Sequence, residues 1–558
     1  MLKDTHPAIT KSILFGRPEL SANQLCLLVA AWIVLTANHA FWSLLFSVDG
    51  VTLKTGVFTA SLVVSLIGLN LFVLRLLSPG RSVRLMLSLL LLVTAVSSWC
   101  MDIYGVGIDS EMLRNAVQTN LLEAEEFLGW SLEWRVLWQA VLPMVFIWRV
   151  VLPPTTWSQA IGQYVGGVVL GLVLLFAAAL PDYVAYASFF RNQTLAQHLI
   201  VPSNVIRAGV RLVRKDLLAH RPYEVVGMDA TRRVVPQARP LLTVLVVGET
   251  ARAANFSLGG YARLTNPQLQ QREVLYFSNV HSCGTATAMS VPCMFSDLPR
   301  AEFDLNAAEH RDTVLDVLQR AGLAVSWVDN QSGCKGVCER IPHEEAGPYQ
   351  PSLCTHGECQ DGTLLPMLDR KLLDIKTGTT TNRLLVLHQM GSHGPAYHLR
   401  VPTDQVMFTP TCATDRIETC TTEQIVNAYD NTIAYTDAIL AGLIDRLQHA
   451  QDRLDSVLIY VSDHGESLGE GGLYLHGQPY VIAPDVQKHV PMLMWFSAGA
   501  PTRLGLDMNC LRHRLQQPYS HDNLSHTLIG LNDVRTRIYR PQLDMLHDCR
   551  SNPSLTSR

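Results

Sequence analysis

Residues 455–477 read DSVLIYVSDHGESLGEGGLYLHG, and they are the most informative stretch about the fold. The run Val457–Val461 is rich in β-branched and aromatic residues and has the length of a buried strand. It leads directly to Asp463 and His464, and a glycine-rich segment then leads to His476. A buried strand that ends in potential ligands is typical of an α/β domain, whose ligands bind beyond the carboxyl ends of the strands.

Four further runs have the same character: Leu241–Val247, Ala324–Val328, Leu384–Leu387 and Val490–Phe496. Between them, Glu309–Ala321 and Asn427–His449 have helical periodicity, and Gly322 follows the first as a stop signal. Because strands alternate with helices, we predict an α/β domain with a mainly parallel sheet over residues 241–558.

Polar side chains follow three of these strands or lie shortly beyond them. They are oxygen and nitrogen donors that would converge at one edge of the sheet: Glu249, His393, Asp463, His464 and His476. Such a set suits zinc or manganese. A single carboxylate at a strand end is more often a helix cap or half of an ion pair, but three strand ends together favour a metal site.

The segment 281–293, HSCGTATAMSVPC, is rich in small hydroxyl residues. A hydroxyl is a weak nucleophile unless a base or a metal activates it. A disulfide between Cys283 and Cys293 would hold the loop rigid. The residues alone leave four candidate nucleophiles, and they also fit the start of a capped helix: Ser282, Thr285, Thr287 and Ser290.

The N-terminal third has a different composition. Only 16% of the 558 residues are charged, against about 25% in an average soluble protein. The deficit lies in five runs without Asp, Glu, Lys or Arg: 20–48, 55–74, 85–101, 136–148 and 150–181. A helix crosses the membrane with about 20 apolar residues, so we predict five transmembrane helices. The run 136–148 is the shortest and contains Pro143, and a buried or interfacial helix is its alternative.

The charges that flank these runs predict an orientation. Basic residues precede the first span and separate the second from the third: Lys3, Lys11, Arg17, Arg75, Arg81 and Arg84. The loop between the third and fourth spans is acidic: Asp102, Asp109, Glu111, Glu123, Glu125 and Glu126. By the positive-inside rule, the N-terminus is cytoplasmic and everything after residue 181 lies outside.

The cysteines are distributed in the same way. Cys26 and Cys100 fall within the spans, and the others lie in the predicted outer part: Cys283, Cys293, Cys334, Cys338, Cys354, Cys359, Cys412, Cys420, Cys510 and Cys549. An even set in an oxidising compartment predicts disulfides, and short loops make 283–293 and 412–420 natural pairs. The alternative is a zinc site at the closely spaced pairs 334/338 and 354/359.

Three parts are therefore expected: a membrane domain at 1–182, a linker at 183–240 and a catalytic domain at 241–558. In the linker, Leu199–His220 has the composition of a basic amphipathic helix, which fits either the membrane surface or a face of the catalytic domain. The net charge of −4, with mixed signs, gives no indication of nucleic-acid binding.

Five stretches in order along the chain resemble the lipid A phosphoethanolamine transferases: VVGETARAANFSLGGYARLTNP, SCGTATAMSVPCMFS, DNQSGCKGVC, LHQMGSHGPAY and YVSDHGESLGEGGLYLHG. That family includes the mobile colistin-resistance enzymes and belongs to the alkaline phosphatase and sulfatase superfamily. The resemblance implies that phosphatidylethanolamine donates phosphoethanolamine to an enzyme threonine, which passes it to a phosphate of lipid A. It also implies a monomer in the inner membrane of a Gram-negative bacterium, a periplasmic catalytic domain, and polymyxin resistance through a less negative outer membrane.

The resemblance also implies roles for individual residues. Thr287 would be the nucleophile, and a zinc ion would be held by Glu249, Thr287, Asp463 and His464. His393 and His476 would bind a second zinc or contact the phosphoryl group. Lys335 and Gln331 would bind substrate, although the family often has Asn at position 331. Pairing of Cys510 with Cys549 is implied only by the family's disulfide-rich domain.

Other activities on the same fold are the alternatives. A sulfatase needs Cys or Ser in a C/S-x-P-x-R setting, which neither Cys283 nor Cys293 has. A phosphatase, a phosphoglycerol transferase, or a transferase acting on the lipopolysaccharide core or another glycan would use similar ligands. A catalytically inactive membrane sensor is disfavoured, because it would have lost some of the ligands that are present here.

Overall fold

The computed structural model of the chain describes residues 17–49, 53–118, 129–218, 222–232, 239–355, 358–375 and 381–551. The chain folds into two compact units. The first comprises Met1–Asp102 and Trp130–Ile206, and the second comprises Ile103–Gly129 and Arg207–Arg558. Some charged residues used for the orientation lie outside the described residues: Lys3, Lys11, Glu123, Glu125 and Glu126.

The first unit is helical, because its long apolar runs satisfy their backbone groups internally. Its helices are Ala22–Thr36, His39–Asp49, Leu53–Leu77, Val83–Tyr104, Trp130–Val136, Leu142–Arg149, Trp157–Ala179 and Tyr183–Asn192, and the π-helical turn Leu137–Val141 joins two of them. Leu53–Leu77 packs closely on Trp157–Ala179 at Gly68, where a Cβ would lie 2.5 Å from the backbone nitrogen of Leu175. Small residues permit such close approach of apolar helices.

Three helices among the described residues are long and apolar enough to cross a membrane: Gly56–Leu77, Val83–Tyr104 and Trp157–Asp182. Ala22–Thr36 and His39–Ser47 make a fourth span if the pair, bent by 51°, counts as one. The predicted run 136–148 is not among them. It lies in a helical stretch that is divided into three segments and contains Glu133, Arg135 and Arg149. Five spans therefore stay a prediction.

The second unit contains a seven-stranded sheet. Its strands are β1 Leu241–Gly248, β2 Leu275–Phe277, β3 Ala324–Asp329, β4 His343–Glu345, β5 Arg383–His388, β6 Asp455–Ser462 and β7 Met492–Phe496. Their order across the sheet is β2-β7-β6-β1-β5-β3-β4.

The sheet is mixed, so the prediction of a mainly parallel sheet is wrong. The strands β6, β1, β5, β3 and β4 run parallel to one another. The strand β7 is antiparallel to both β6 and β2. Between β6 and β7 the chain has only short elements and loops rather than a crossover helix, which is the usual requirement for a parallel pair. The sequence run that predicted β7 carries no information about its direction.

The second unit also contains helices. They are Ser110–Gln118, Thr287–Met294, Leu305–Ala308, Val314–Arg320, Leu364–Leu373, Thr422–His449, Ala500–Leu504, Met508–His513 and Asp522–Leu531, and Ser203–Leu218 crosses the boundary between the units. Short ladders pair Thr231–Arg232 with Val534–Arg535, Val280–His281 with Tyr519–Ser520, Cys354–Thr355 with Glu358–Cys359, and Ser467–Leu468 with Tyr474–Leu475.

The core lies on the central strands. All residues of β1 and β6 are buried. Leu245 and Ile459 belong to one apolar cluster with Trp327 and Phe295. Strands β1 and β6 are neighbours in the sheet. The residues that directly follow their carboxyl ends therefore lie near the interior of the domain.

Five disulfides connect all of the cysteines in the second unit. The pairs are Cys283–Cys293, Cys334–Cys338, Cys354–Cys359, Cys412–Cys420 and Cys510–Cys549. The loops 283–293 and 412–420 are closed as their spacing suggested, and the pairs 334/338 and 354/359 form disulfides rather than a zinc site. Cys26 and Cys100 are the free cysteines.

We expect the full-length protein, denatured without reductant, to react with a thiol reagent at two cysteines per chain, Cys26 and Cys100. Prior reduction should expose the other ten as well and should destabilise the native protein by about 2–4 kcal/mol per disulfide lost. Peptide mapping of the labelled sites is the measurement. Labelling of most cysteines in 283–549 before reduction would contradict the pairing.

Candidate metal centre and nucleophile

Two buried carboxylates lie side by side at the ends of adjacent strands. Strands β1 and β6 are parallel, with Gly248 opposite Ser462 in the register. Each strand is followed by a carboxylate, Glu249 after β1 and Asp463 after β6, and both are fully buried. The strand pairing thus places Glu249 beside Asp463, as the sequence predicted for residues at strand ends.

Asp463 and His464 each use one side-chain atom for local structure and leave another for a ligand. Oδ1 of Asp463 accepts the N–H groups of Thr250, at 3.1 Å, and of His464, at 2.7 Å. Its Oδ2 is buried and has no hydrogen-bond partner in the part of the chain that the structure describes. Nδ1 of His464 lies 2.9 Å from the carbonyl of Gly465. Since a carbonyl only accepts, Nδ1 carries a proton, and Nε2 is the ring nitrogen that faces the two carboxylates.

The free atoms converge. Nε2 of His464 lies 3.3 Å from Glu249 Oε1 and 3.4 Å from Asp463 Oδ2. Ligand atoms of the three residues all lie within 4.8 Å of one another. A carboxylate oxygen without a hydrogen-bond partner among the described residues and an imidazole nitrogen that faces it in one buried pocket fit a divalent cation such as zinc.

The electrostatics of the three groups agree with this fit. Burial alone raises the pKa of Glu249, but the hydrogen bond and the charge of His464 bring it well below its usual value. Burial and the charge of Glu249 raise the pKa of Asp463 to about 7. Burial lowers the pKa of His464, yet the charges of Asp463 and Glu249 raise it to about 10. The pocket thus concentrates negative charge that a cation neutralises.

Thr287 is the hydroxyl that reaches this pocket. It is the first residue of the helix Thr287–Met294, where the positive end of the helix dipole favours an oxyanion. Its Oγ1 lies 3.0 Å and 3.2 Å from the two carboxylate oxygens of Glu249, and 3.3 Å from Nε2 of His464. It is buried but retains 8% exposure, whereas Glu249 and His464 have none.

The other three hydroxyls of the loop are committed to the backbone. Ser282 Oγ donates to the carbonyl of Gly284 at 2.6 Å, and Thr285 Oγ1 donates to the carbonyl of Gln478 at 2.6 Å. Ser290 Oγ accepts the N–H of Gly284 at 2.9 Å. Thr287 is thus the member of the four candidate hydroxyls that contacts Glu249 and His464 in the described structure.

His393 and His476 flank the group. The ring of His476 lies 4.3 Å from that of His464 and 5.9 Å from that of His393. Nδ1 of His393 is buried and has no partner among the described residues. Nδ1 of His476 donates to Glu466 at 2.8 Å, and Glu466 also accepts from Tyr397. Sequence reasoning gave Glu466 no role, although it lies in the DHGE motif.

Gln331 and Lys335 take different places. Nε2 of Gln331 donates to Glu249 Oε2 at 3.2 Å, so this side chain directly contacts one of the candidate metal ligands. The ammonium of Lys335 donates to the carbonyl and hydroxyl of Ser332, at 3.1 Å and 2.8 Å. In the described structure Lys335 thus turns toward its own loop.

His521 joins the loop 281–293, called the nucleophile loop here after its candidate nucleophiles, to strand β6. Sequence reasoning did not single out this histidine. Its Nδ1 accepts the N–H of Cys283 at 3.1 Å, and its Nε2 donates to the carbonyl of Ser462 at 2.9 Å. These partners fix a neutral imidazole protonated at Nε2, and burial lowers the pKa of His521 to about 3. The signal in the sequence is weak, because His521 precedes a helix far from both segments.

The fold and the site define a class. Two buried carboxylates and a histidine at strand ends, with a threonine at the start of a helix beside them, define a candidate metal-dependent enzyme site on an α/β fold. The family model for sulfatases matches residues 242–534.

The particular family follows from two further comparisons. The model described as phosphoethanolamine transferase EptA/EptB matches residues 66–217. The phosphoethanolamine transferase EptA of Escherichia coli K12 is 41% identical over 96% of this chain and 98% of the relative. The chain therefore belongs to the lipid A phosphoethanolamine transferase family, within the alkaline phosphatase and sulfatase superfamily.

Two other relatives agree with this assignment. The phosphatidylethanolamine transferase Mcr-1 of Escherichia coli is 36% identical over 91% of this chain and 94% of the relative. The integral membrane lipooligosaccharide phosphoethanolamine transferase A of Neisseria meningitidis has a TM-score of 0.91 and 37% identity, covering 96% of this chain and 100% of that structure.

We predict that His521→Ala lowers the transfer rate at least tenfold per folded molecule, because it frees the nucleophile loop from β6. His521→Gln, which still carries one acceptor and one donor, should retain most of the activity. His526 is the matched control: it is equally buried, lies on the same stretch and accepts the N–H of Arg540 at 3.2 Å.

Both alanine variants should lose about 1–3 kcal/mol of stability, since each leaves a buried backbone group unpaired. Only His521→Ala should slow the reaction. Turnover normalised to folded protein, alongside thermal unfolding, is the measurement. If His521→Ala and His526→Ala slow the reaction equally, His521 stabilises the fold and has no specific effect on the loop.

Proposed function

We propose that this protein transfers phosphoethanolamine from phosphatidylethanolamine to a phosphate of lipid A through a phosphothreonine at Thr287. The observation that carries the proposal is the contact of Thr287 Oγ1 with both Glu249 and His464. The group transferred is the phosphoethanolamine for which the relatives are named. The family resemblance supplies the acceptor, lipid A. It also supplies polymyxin and colistin resistance, because modified lipid A carries less negative charge.

Each residue has a stated part in the first half-reaction. The Thr287 hydroxyl donates to Glu249, so this carboxylate can take its proton as Oγ1 bonds to the donor phosphorus. The bond from phosphorus to the diacylglycerol oxygen breaks, and diacylglycerol leaves as the alcohol. A zinc ion held by Glu249, Asp463, His464 and Thr287 would supply Lewis acidity at this hydroxyl.

In the second half-reaction an oxygen of the acceptor phosphate bonds to the same phosphorus and the bond from phosphorus to Thr287 Oγ1 breaks. Thr287 leaves as the hydroxyl, with the proton that the acceptor phosphate gives up. His393 and His476 would contact the phosphoryl oxygens or hold a second zinc. The ammonium of Lys335 would neutralise phosphate charge after turning from Ser332, and Gln331 would orient Glu249. Splitting the transfer in two lets one set of residues serve both steps.

The membrane arrangement belongs to the same proposal. Five spans, a cytoplasmic N-terminus and a periplasmic catalytic domain after residue 181 would place the site on the side where lipid A is exposed to it. The division into 1–182, 183–240 and 241–558, the interfacial position of the linker helix, and a monomeric state are proposed with it.

Expression in a polymyxin-susceptible Gram-negative host tests the reaction. We expect the mass of lipid A to increase by one phosphoethanolamine and the polymyxin susceptibility to fall. Thr287→Ala should abolish both effects, because the nucleophile is lost. Thr285→Ala is the matched control and should keep measurable activity, since its hydroxyl only bonds the backbone. Mass spectrometry of extracted lipid A is the measurement. Phosphoethanolamine on lipid A from a host that expresses only the Thr287→Ala variant would refute the assignment.

The metal is tested separately by content and by activity. Asp463→Ala should lose tight zinc binding along with activity, because it removes the orphaned oxygen of the pocket. Thr287→Ala should lose activity and keep most of the zinc, since three ligands remain. Elemental analysis of the purified variants, with wild-type activity measured before and after chelation, gives the comparison. Full activity without zinc would exclude the metal from the reaction.

A further inference from the structure

A pair of cations lies on one aromatic ring beside the nucleophile loop. The guanidinium carbon of Arg300 is 3.4 Å from the centroid of the Tyr480 ring, and Nζ of Lys488 is 5.3 Å from it. Such stacking holds cations in place at the surface of a protein. All three side chains are partly exposed, so the two charges are accessible to a ligand.

The ring and the guanidinium are each attached to the loop. Tyr480 Oη donates to the carbonyl of Ser282 at 3.0 Å. Nε of Arg300 donates to the carbonyl of Cys283 at 2.6 Å. The N–H of Ser282 in turn donates to the carbonyl of Lys488 at 2.7 Å. The contact with the loop uses only Nε of Arg300, so its two terminal nitrogens are left for a ligand.

Arg300 and Lys488 form no ion pair with a carboxylate among the described residues. Within the described ranges, no carboxylate oxygen lies within 4.0 Å of the side-chain nitrogens of Arg300 or Lys488. The nearest acidic groups have other contacts: Asp522 accepts the backbone N–H of Arg300, and Asp485 lies against His281 and His489. By contrast, Arg311, Arg320 and Arg340 each bind an aspartate.

The pair lies within reach of Thr287. The N–H of Gly477 donates to the carbonyl of Thr285 at 2.8 Å, and Thr285 Oγ1 donates to the carbonyl of Gln478. The segment from His476 to Tyr480 therefore runs beside the segment from Thr287 to Ser282. Cys283, whose carbonyl accepts from Arg300, precedes Thr287 by four residues, and four residues of extended chain span at most about 14 Å. Arg300 therefore contacts the loop at a point within about 14 Å of the Thr287 backbone.

We propose that Arg300 and Lys488, held on the ring of Tyr480, bind a second phosphate of the acceptor while another phosphate of the same molecule reacts at Thr287. The proposal rests on the proposed function. The donor lipid has a single phosphate, which must lie at Thr287, so a separate anion site can serve only the acceptor. The planar fork of Arg300 matches a phosphate, and Lys488 adds a second charge.

The test compares lipid A with two phosphates and lipid A with one, using the purified full-length enzyme and phosphatidylethanolamine vesicles. We expect the wild-type enzyme to have the lower KM for the bisphosphorylated acceptor. Arg300→Gln and Lys488→Gln should each raise that KM about tenfold, toward the value for the monophosphorylated acceptor. The KM for the monophosphorylated acceptor should stay unchanged.

Three controls separate this role from others. Diacylglycerol release without acceptor reports the first half-reaction and should be unaffected. Lys488→Gln covers the case in which Arg300→Gln disturbs the loop, because the Lys488 side chain makes no hydrogen bond to it in the described structure. Arg512→Gln, at an exposed arginine that contacts Asn509, makes the same change in net charge and should leave both KM values unchanged.

An unchanged KM for the bisphosphorylated acceptor in both variants would overturn the proposal. So would an equal loss for the two acceptors, or slower diacylglycerol release in Lys488→Gln, since either would indicate a structural role. An enzyme that releases diacylglycerol but modifies neither lipid A would instead refute the acceptor named under the proposed function, and the cation pair would lose its ligand with it.

Discussion

Two fully buried carboxylates at the ends of adjacent parallel strands are the constraint on which the rest of the site depends. Burying two negative charges together is costly unless cations and hydrogen bonds compensate for them. The register of β1 and β6 leaves no alternative position for Glu249 and Asp463. Backbone N–H groups, the hydroxyls of Thr250 and Thr287 and the imidazole of His464 compensate in part, and the orphaned oxygen of Asp463 marks the place for a metal.

The nucleophile loop is fixed to this centre from several directions. A disulfide closes it, His521 joins it to β6, and Gln478 accepts from Thr285 in its middle. These contacts act on the backbone before and after Thr287 rather than on its hydroxyl. The result is a hydroxyl held against a carboxylate and a histidine with little freedom, which is the condition for efficient attack on a bound phosphoryl group.

The close packing around Glu249 also restricts the backbone. Gly391, in the loop after β5, has a φ of +56°, and a Cβ there would lie 2.5 Å from the carbonyl oxygen of Glu249. Glycine adopts a positive φ without strain and has no Cβ to collide with the Glu249 carbonyl, so this position requires glycine. The loop that carries His393 is thereby brought against the strand end that carries Glu249, so three strands contribute to one site.

The sequence predicted the central strands within one or two residues, because strands buried on both faces are unbroken apolar runs. The edge strands β2 and β4 have three residues each and left no such signal. Strand direction is not encoded in a run of apolar residues, so the antiparallel direction of β7 could not be predicted. The helix predicted at Glu309–Ala321 begins only at Val314, because Thr313 and Asp316 form a capping box there.

The convergence of Glu249, Asp463 and His464 could be predicted because these residues follow strand ends, which local sequence reveals. The choice of Thr287 among four hydroxyls could not be made from the residues alone, since it depends on where the other three find backbone partners. His521, Glu466 and the cation pair at Tyr480 act through contacts between segments far apart in the chain. Such contacts leave no periodicity or spacing for sequence reasoning to detect.

The central claim is that Thr287 itself becomes covalently modified. The most direct measurement is peptide mass spectrometry of the purified enzyme after incubation with phosphatidylethanolamine and no acceptor. Our account predicts one phosphoethanolamine on Thr287, lost when lipid A is added and absent from the Asp463→Ala variant. Phosphoethanolamine on Thr285 or Ser290, or transfer to lipid A by a Thr287→Ala enzyme, would contradict it.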